Sequence, residues 1–235
     1  MIRTRTDGDV RVVTLDRPEA RNALRPADLT ALREAFAEPE AEEGPPVTYL
    51  RGAGDAFCAG ADLDAVAALD DPAAFARRGQ RAAAAIEASP SAVVCGIDGP
   101  ARGGGVELAL AADVRVATPR ATLAEPGVSL GLFGAWGGTV RLPRVMGEGD
   151  ALDFALSGRV LDAEAALRTG LVSRVVDDPR SVADEIAAGE GDALAAIKRR
   201  MRDRRESGTQ EAAEATAFAD LHDAHADEIA RRRGE

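Results

Sequence analysis

Apolar and polar residues alternate over Val10-Arg11-Val12-Val13-Thr14-Leu15, which predicts a strand, and Pro26 then opens a helix whose Leu29, Leu32 and Phe36 recur at helical spacing. Glu38 to Pro46 reads as a polar, proline-rich connection. Beyond it the pattern predicts a strand over Val47-Thr48-Tyr49-Leu50-Arg51, a helix from Pro72 to Ser89 with Phe75, Ala82 and Ile86 turned inward, and a strand over Ala92 to Ile97. A helix from Val106 to Ala112 follows, then strands at Val114 to Ala117 and near Leu123, then a glycine-rich loop from Gly131 to Gly138. Strand and helix keep alternating, so the fold class is α/β.

From Asp150 onward the pattern turns mostly helical. Asp150 and Asp162 are placed as N-caps, and Gly170 as a helix stop ahead of the apolar run Leu171 to Val176. The last two helices carry narrow apolar stripes, Leu194, Ile197 and Met201 on one, and Phe218, Leu221 and Ile229 with His225 on the other. Such stripes need a surface to pack on, in their own chain or in a neighbouring subunit. The chain thus divides into a core over residues 1–190 and a C-terminal helical region for oligomerisation over 191–235.

Candidate chemistry begins at Gly103-Gly104-Gly105, entered from the Ala92 strand and followed by Val106-Glu107-Leu108. Glycines at a strand-to-helix junction leave N–H donors bare where the helix terminus also favours negative charge, and Glu107 sets a carboxylate beside them. A base beside an oxyanion site suits proton chemistry next to a carbonyl. Glycine clusters also make ordinary turns, and a helix start favours glutamate by its dipole alone. A second small-residue junction, Phe57-Cys58-Ala59-Gly60-Ala61-Asp62-Leu63, follows the Val47 strand, and the two junctions could supply one N–H each.

Composition narrows the setting. The chain has 235 residues and no apolar run approaching membrane-helix length, and its N-terminus lacks the apolar middle of a signal peptide, so a soluble, cytoplasmic protein is expected. A net charge of −11 opposes a nucleic-acid partner. Cys58 and Cys95 show no metal-ligand spacing and read as buried free thiols. Forty acidic residues stand against a single lysine, Lys198, with every other basic residue an arginine, and aromatics make up 3%. Adaptation to a high-salt cytoplasm is one expectation for that bias, and a GC-rich coding sequence is the alternative.

Leu15-Asp16-Arg17-Pro18-Glu19-Ala20-Arg21-Asn22-Ala23-Leu24, the Phe57 to Leu63 segment, and Gly103 to Ala109 follow one another in an order and at separations that resemble the enoyl-CoA hydratase/isomerase (crotonase) superfamily. Gly137 to Leu142, Ser157 to Arg159 and Ala163 to Val172 look like the later motifs of that family, so the resemblance spans nearly the whole chain. It implies a spiral core of repeated strand-strand-helix units and C-terminal helices that build trimers, often paired into hexamers. It also implies an acyl thioester of coenzyme A as substrate, with no resident cofactor, because coenzyme A arrives as part of the substrate, and with no metal. The matching oxyanion donors are the N–H groups of Ala61 and Gly104; Ala20 and the segment Ala59, Gly60, Ala61, Asp62 and Leu63 match positions that line coenzyme A. Gly104→Val is expected to crowd the thioester oxygen and abolish turnover while leaving the fold.

The sequence departs from the family where a second glutamate is usual. Glu107 fills the first position, but the second falls at Gly127. Glu125 lies two residues earlier, a spacing that in an extended segment returns it to the same face, so it either replaces the missing carboxylate or holds a hydrogen bond or a surface position. The usual Pro-Gly of the glycine-rich loop is Gly134-Ala135, and Trp136 replaces a small residue; its indole either narrows the acyl pocket or packs outward or against a neighbouring subunit. Hydration of a 2-enoyl-CoA by Glu107 leads, with isomerisation of a 3-enoyl-CoA and plain acyl-CoA binding as alternatives. Lys198 and Arg21 are each candidate phosphate contacts, Lys198 equally a charged helix face. His222 and His225 have metal spacing only if a third ligand joins them, and read instead as solvated or interface groups.

Overall fold

The computed structural model describes residues 1–37 and 44–233; most of the expected Glu38 to Pro46 connection lies outside them. A strand not read from the sequence begins the chain. β1 (Ile2–Asp7) pairs antiparallel with β2 (Val10–Leu15) across a turn in which Gly8 has φ +60°. Nearly all of β1 is exposed, and its Arg-Thr repeat carries no apolar alternation, as befits a charged edge that discourages further strand pairing.

After α1 (Pro26–Ala37) come β3 (Val47–Gly52), the short α2 (Leu63–Ala67), α3 (Pro72–Ala88), β4 (Ala92–Ile97), β5 (Pro100–Arg102), α4 (Gly104–Ala111), β6 (Val114–Ala117) and β7 (Thr122–Ala124). The main sheet runs β1-β2-β3-β4-β6 and ends on β9 (Arg174–Val175), every pair after the first being parallel. Parallel strands buried on both faces need apolar residues on both, and they have them. Val13, Leu15, Leu50, Val93 and Cys95 face α1, α3 and α4, while Val10, Val12, Tyr49, Val94 and Val116 face Val182 and Ala183 of α8 (Arg180–Ala187).

A second ladder runs beside the first. Leu24 bridges to Ala61, Cys58 to Ala101, and β5 to β7, all parallel, so each long strand is followed by a short one stacked on the previous turn and then by a helix. The chain coils as repeated strand-strand-helix turns, the spiral that the resemblance implies. β8 (Leu161–Asp162) closes the small sheet against β7.

Two local expectations need correction. Asp150 caps nothing: α6 (Glu148–Ser157) starts after Gly147, and Asp150 sits in the first turn, where its charge meets the positive end of the helix. The loop read as Gly131 to Gly138 ends at Gly137, and α5 (Gly138–Met146) follows with Pro143 inside it. Asp162 does cap α7 (Ala163–Arg168), accepting from the Ala165 N–H at 2.7 Å, and Gly170 has φ +75°.

Among the described residues the C-terminal region holds three helices, α9 (Gly191–Met201), α10 (Ser207–Ala224) and α11 (Ala226–Arg232). The stripe expected on one last helix is split at His225, whose Nε2 lies 2.9 Å from Asp192. Ile197, Met201, Phe218 and Ile229 are at least half exposed. The described residues leave them largely uncovered. Among the described residues no helix is long and apolar enough to cross a membrane.

Candidate active site

Helix α4 is buried at every position, and Glu107 is its single ionisable residue. An all-apolar helix belongs to the core, so a carboxyl inside it carries a desolvation cost that only specific partners offset. Gly103 precedes α4 at φ +47° and ties its own N–H to Ala124 O at 2.9 Å. Gly105 has no room for a side chain, since a β-carbon there would stand 2.3 Å from Cys58 O. That contact draws the helix start against the segment before α2.

The segment itself is held by Asn22, fully buried at φ +58°, whose Nδ2 donates to the carbonyls of Ala53, Ala56 and Phe57. Gly60 O and the Asp62 N–H both turn to Leu24, at 2.8 and 3.0 Å, so the intervening Ala61 N–H points the other way. A β-carbon on Gly60 would lie 3.1 Å from Gly104 N. The two small-residue junctions therefore abut, and Ala61 and Gly104 border one cavity of about 290 Å³. Neither N–H meets an acceptor among the described residues.

Glu107 and Glu125 reach the same cavity. Oε1 of Glu107 accepts two main-chain N–H bonds, from Trp136 and Gly138, each 2.7 Å. Burial pushes its pKa up while those two donors and Arg141 pull it down, and the net direction is upward. Glu125 is also buried, and among the described residues neither of its oxygens has a hydrogen-bond partner. Burial, with the charge of Glu107 added, pushes it up to about 8. A β-carbon at Gly134 would fall 2.9 Å from both Glu125 Oε2 and Glu107 Cδ, so the carboxyls face one another across the space this glycine leaves open. The two carboxyls thus differ in their surroundings, one held by main-chain N–H groups and the other without a bond among the described residues.

The family model described as enoyl-CoA hydratase/isomerase matches residues 5–234. The chain belongs to that family. A Bacillus subtilis relative whose name assigns it to the enoyl-CoA hydratase/isomerase group is 41% identical over 182 residues, 75% of this chain and 70% of that protein. The crystal structure of an enoyl-CoA hydratase from Thermoplasma volcanium superposes with TM-score 0.89 at 32% identity over 96% of both chains. That of an enoyl-CoA hydratase from Polaromonas gives 0.91 at 29% identity, covering 99% of this chain and 96% of that one.

Of the residues this family member was expected to use, Ala59, Ala61, Leu63, Gly104, Glu107, Glu125, Gly127 and Ala135 border the cavity. Glu125 takes neither structural role expected of it: it is buried, and among the described residues it holds no hydrogen bond. Ala20 and Arg21 lie on an outer turn, tied in by the bond from the Ala59 N–H to Arg21 O, 2.9 Å. Asp62 points away to cap α2 through the Ala65 N–H and to pair with Arg17 at 2.5 Å. Its contribution here is structural. Lys198 borders a different cavity and is buried against Asp113, 2.8 Å, and Ser91 O, 2.9 Å, so it ties α9 to the sheet. The expected phosphate contact is not where the site is.

Of the two placements expected for Trp136 the structure has the inward one: it borders the cavity, with 3% of its surface exposed, and a β-carbon on Gly104 would stand 2.1 Å from its ring. The expectation that Gly104→Val acts only on the thioester oxygen changes, because the new side chain would strike the indole first and a loss of turnover would not isolate the oxyanion donor. The sequence reading missed the N–H groups of Trp136 and Gly138 that hold Glu107. Their signal was the doubled glycine at the start of α5: a β-carbon at Gly138 would meet Glu107 Oε1 at 2.8 Å.

Proposed function

We propose that this family member hydrates 2-enoyl-CoA thioesters, with Glu107 as base, Glu125 as acid, and the N–H groups of Ala61 and Gly104 as oxyanion donors. The observation that carries this reading is the buried, unbonded carboxyl of Glu125 facing the amide-held carboxyl of Glu107. A lone carboxyl without a hydrogen bond is costly to keep, by about 1–3 kcal/mol, unless its proton has a task. In the proposed reaction Glu107 takes a proton from water as its oxygen adds to C3. Charge moves to the thioester oxygen, where the two N–H donors receive it, and Glu125 gives its proton to C2. Return of the proton from Glu107 to Glu125, across the gap beside Gly134, resets the pair. The thioester enters past Leu63 and Phe133, both exposed at the cavity mouth, with coenzyme A over Ala20, Arg21 and Ala59. The uncovered apolar residues of α9, α10 and α11 fit contacts between copies of this chain in a trimer or hexamer.

The test offers the purified protein 2-enoyl-CoA and 3-enoyl-CoA in parallel and follows the conjugated enoyl absorbance. Loss of absorbance from the first without gain from the second is the expected result. Gain from the 3-enoyl substrate alone would make the carboxyls an isomerase pair, and tight binding without turnover of either would make the protein an acyl-CoA binder.

A further inference from the structure

The single tryptophan of the chain has no part in the proton transfers, yet it touches both halves of the site. Its indole lies in a slot between α3 and α4 that exists because two residues lack side chains. A β-carbon on Gly79 would stand 2.1 Å from Cδ1 of the indole, and one on Gly104 2.1 Å from Cζ3. Phe75 closes the slot edge-on, with ring centroids 5.7 Å apart at 73°. The main-chain N–H of this same residue is one of the two that hold Glu107 Oε1. Its neighbour is fixed too, since Gln80 Nε2 donates to Ala135 O at 2.9 Å.

We propose that Trp136 is a positioning residue whose indole, wedged between Gly79 and Gly104, locks the Glu107-holding amide and the Gly104 peptide into one rigid unit. This rests on the hydratase reading above. The physical need is plain: the segment carries glycine at 131, 134, 137 and 138, each with wide conformational freedom, so it requires an anchor to present an N–H to within a few tenths of an ångström. A buried aromatic supplies that anchor through area and shape. The charged groups facing Glu107 are Glu125, from the end of β7, and Arg141 of α5, which is itself paired with Glu87 of α3. With the wedge displaced, Oε1 loses a donor while burial and Glu125 remain, so the base becomes harder to ionise.

The experiment uses Gly79→Ala, which sits on α3 outside the wall of the cavity and pushes the indole from behind, and Trp136→Phe, which only removes atoms. Expected for both is a fall in kcat for 2-enoyl-CoA of about 10-fold or more with KM little changed, and an acid limb of the kcat profile moved to higher pH. In Gly79→Ala, the pH midpoint of the lone tryptophan's emission should move upward as well. Folded variants that keep the wild-type kcat, limb and emission midpoint would overturn the proposal, as would a loss of melting temperature alone. Should Gly79→Ala fail to fold, Trp136→Phe decides by its pH limb. Should the wild type bind 2-enoyl-CoA without hydrating it, the hydratase reading falls, and the wedge is judged by the emission midpoint of Gly79→Ala.

Discussion

Glu107→Gln is expected to lower hydration of 2-enoyl-CoA by about 10²–10⁴-fold, the range over which a positioned general base contributes. The amide keeps an oxygen for the N–H groups of Trp136 and Gly138, so the loop that those bonds fix should stay in place. The side chain also sheds a buried charge. The melting temperature should therefore equal or exceed that of the wild type while kcat collapses, and steady-state rates beside a thermal melt check both. A Glu107→Gln protein within tenfold of wild type would remove Glu107 from the chemistry.

Glu125→Leu is expected to move activity and stability in opposite directions. Loss of the acid should lower kcat by about 10²-fold or more. Removing an unbonded carboxyl from the core should add about 1–3 kcal/mol, and a chain of this size gains about 2–4 °C in Tm per kcal/mol. The gain depends on pH. The folded value near 8 lies above the ordinary 4.5, so the folded protein keeps a proton that the unfolded chain releases. Stability from that group is full below 4.5 and is lost as pH rises toward 8. Wild-type Tm should fall across this window, and the fall should shrink in Glu125→Leu; Glu107, shifted in the same direction, leaves a residual slope. An unchanged or lower Tm in the variant would mean that Glu125 is bonded after all.

The strands and helices of the spiral were legible wherever one residue pattern served one purpose. Val10–Leu15, Ala92–Ile97 and Pro26–Ala37 form where periodicity and the helix-starting proline place them. β1 was hidden because an edge strand selects charge over apolar alternation, and β5 because three residues cannot display a period. The site divides in the same way. Glu107 and the N–H donors were marked by glycines beside a helix start, a local signal. The burial of Glu125 and the inward turn of Trp136 depend on which turns of the spiral stack together, and no short stretch of sequence carries that. Lys198 shows the converse: its lone charge suggested a ligand contact, yet Asp113 and the Ser91 carbonyl, distant in sequence, had already claimed it.

The most direct test of the paired carboxyls is the pH dependence of kcat/KM for 2-enoyl-CoA, which reports the ionisation of the free enzyme. A bell is predicted, with an alkaline limb near pH 8 as Glu125 gives up its proton, and with that limb absent from the residual activity of Glu125→Gln. A rate that stays flat or climbs through pH 8, or a limb that survives the substitution, would contradict the account.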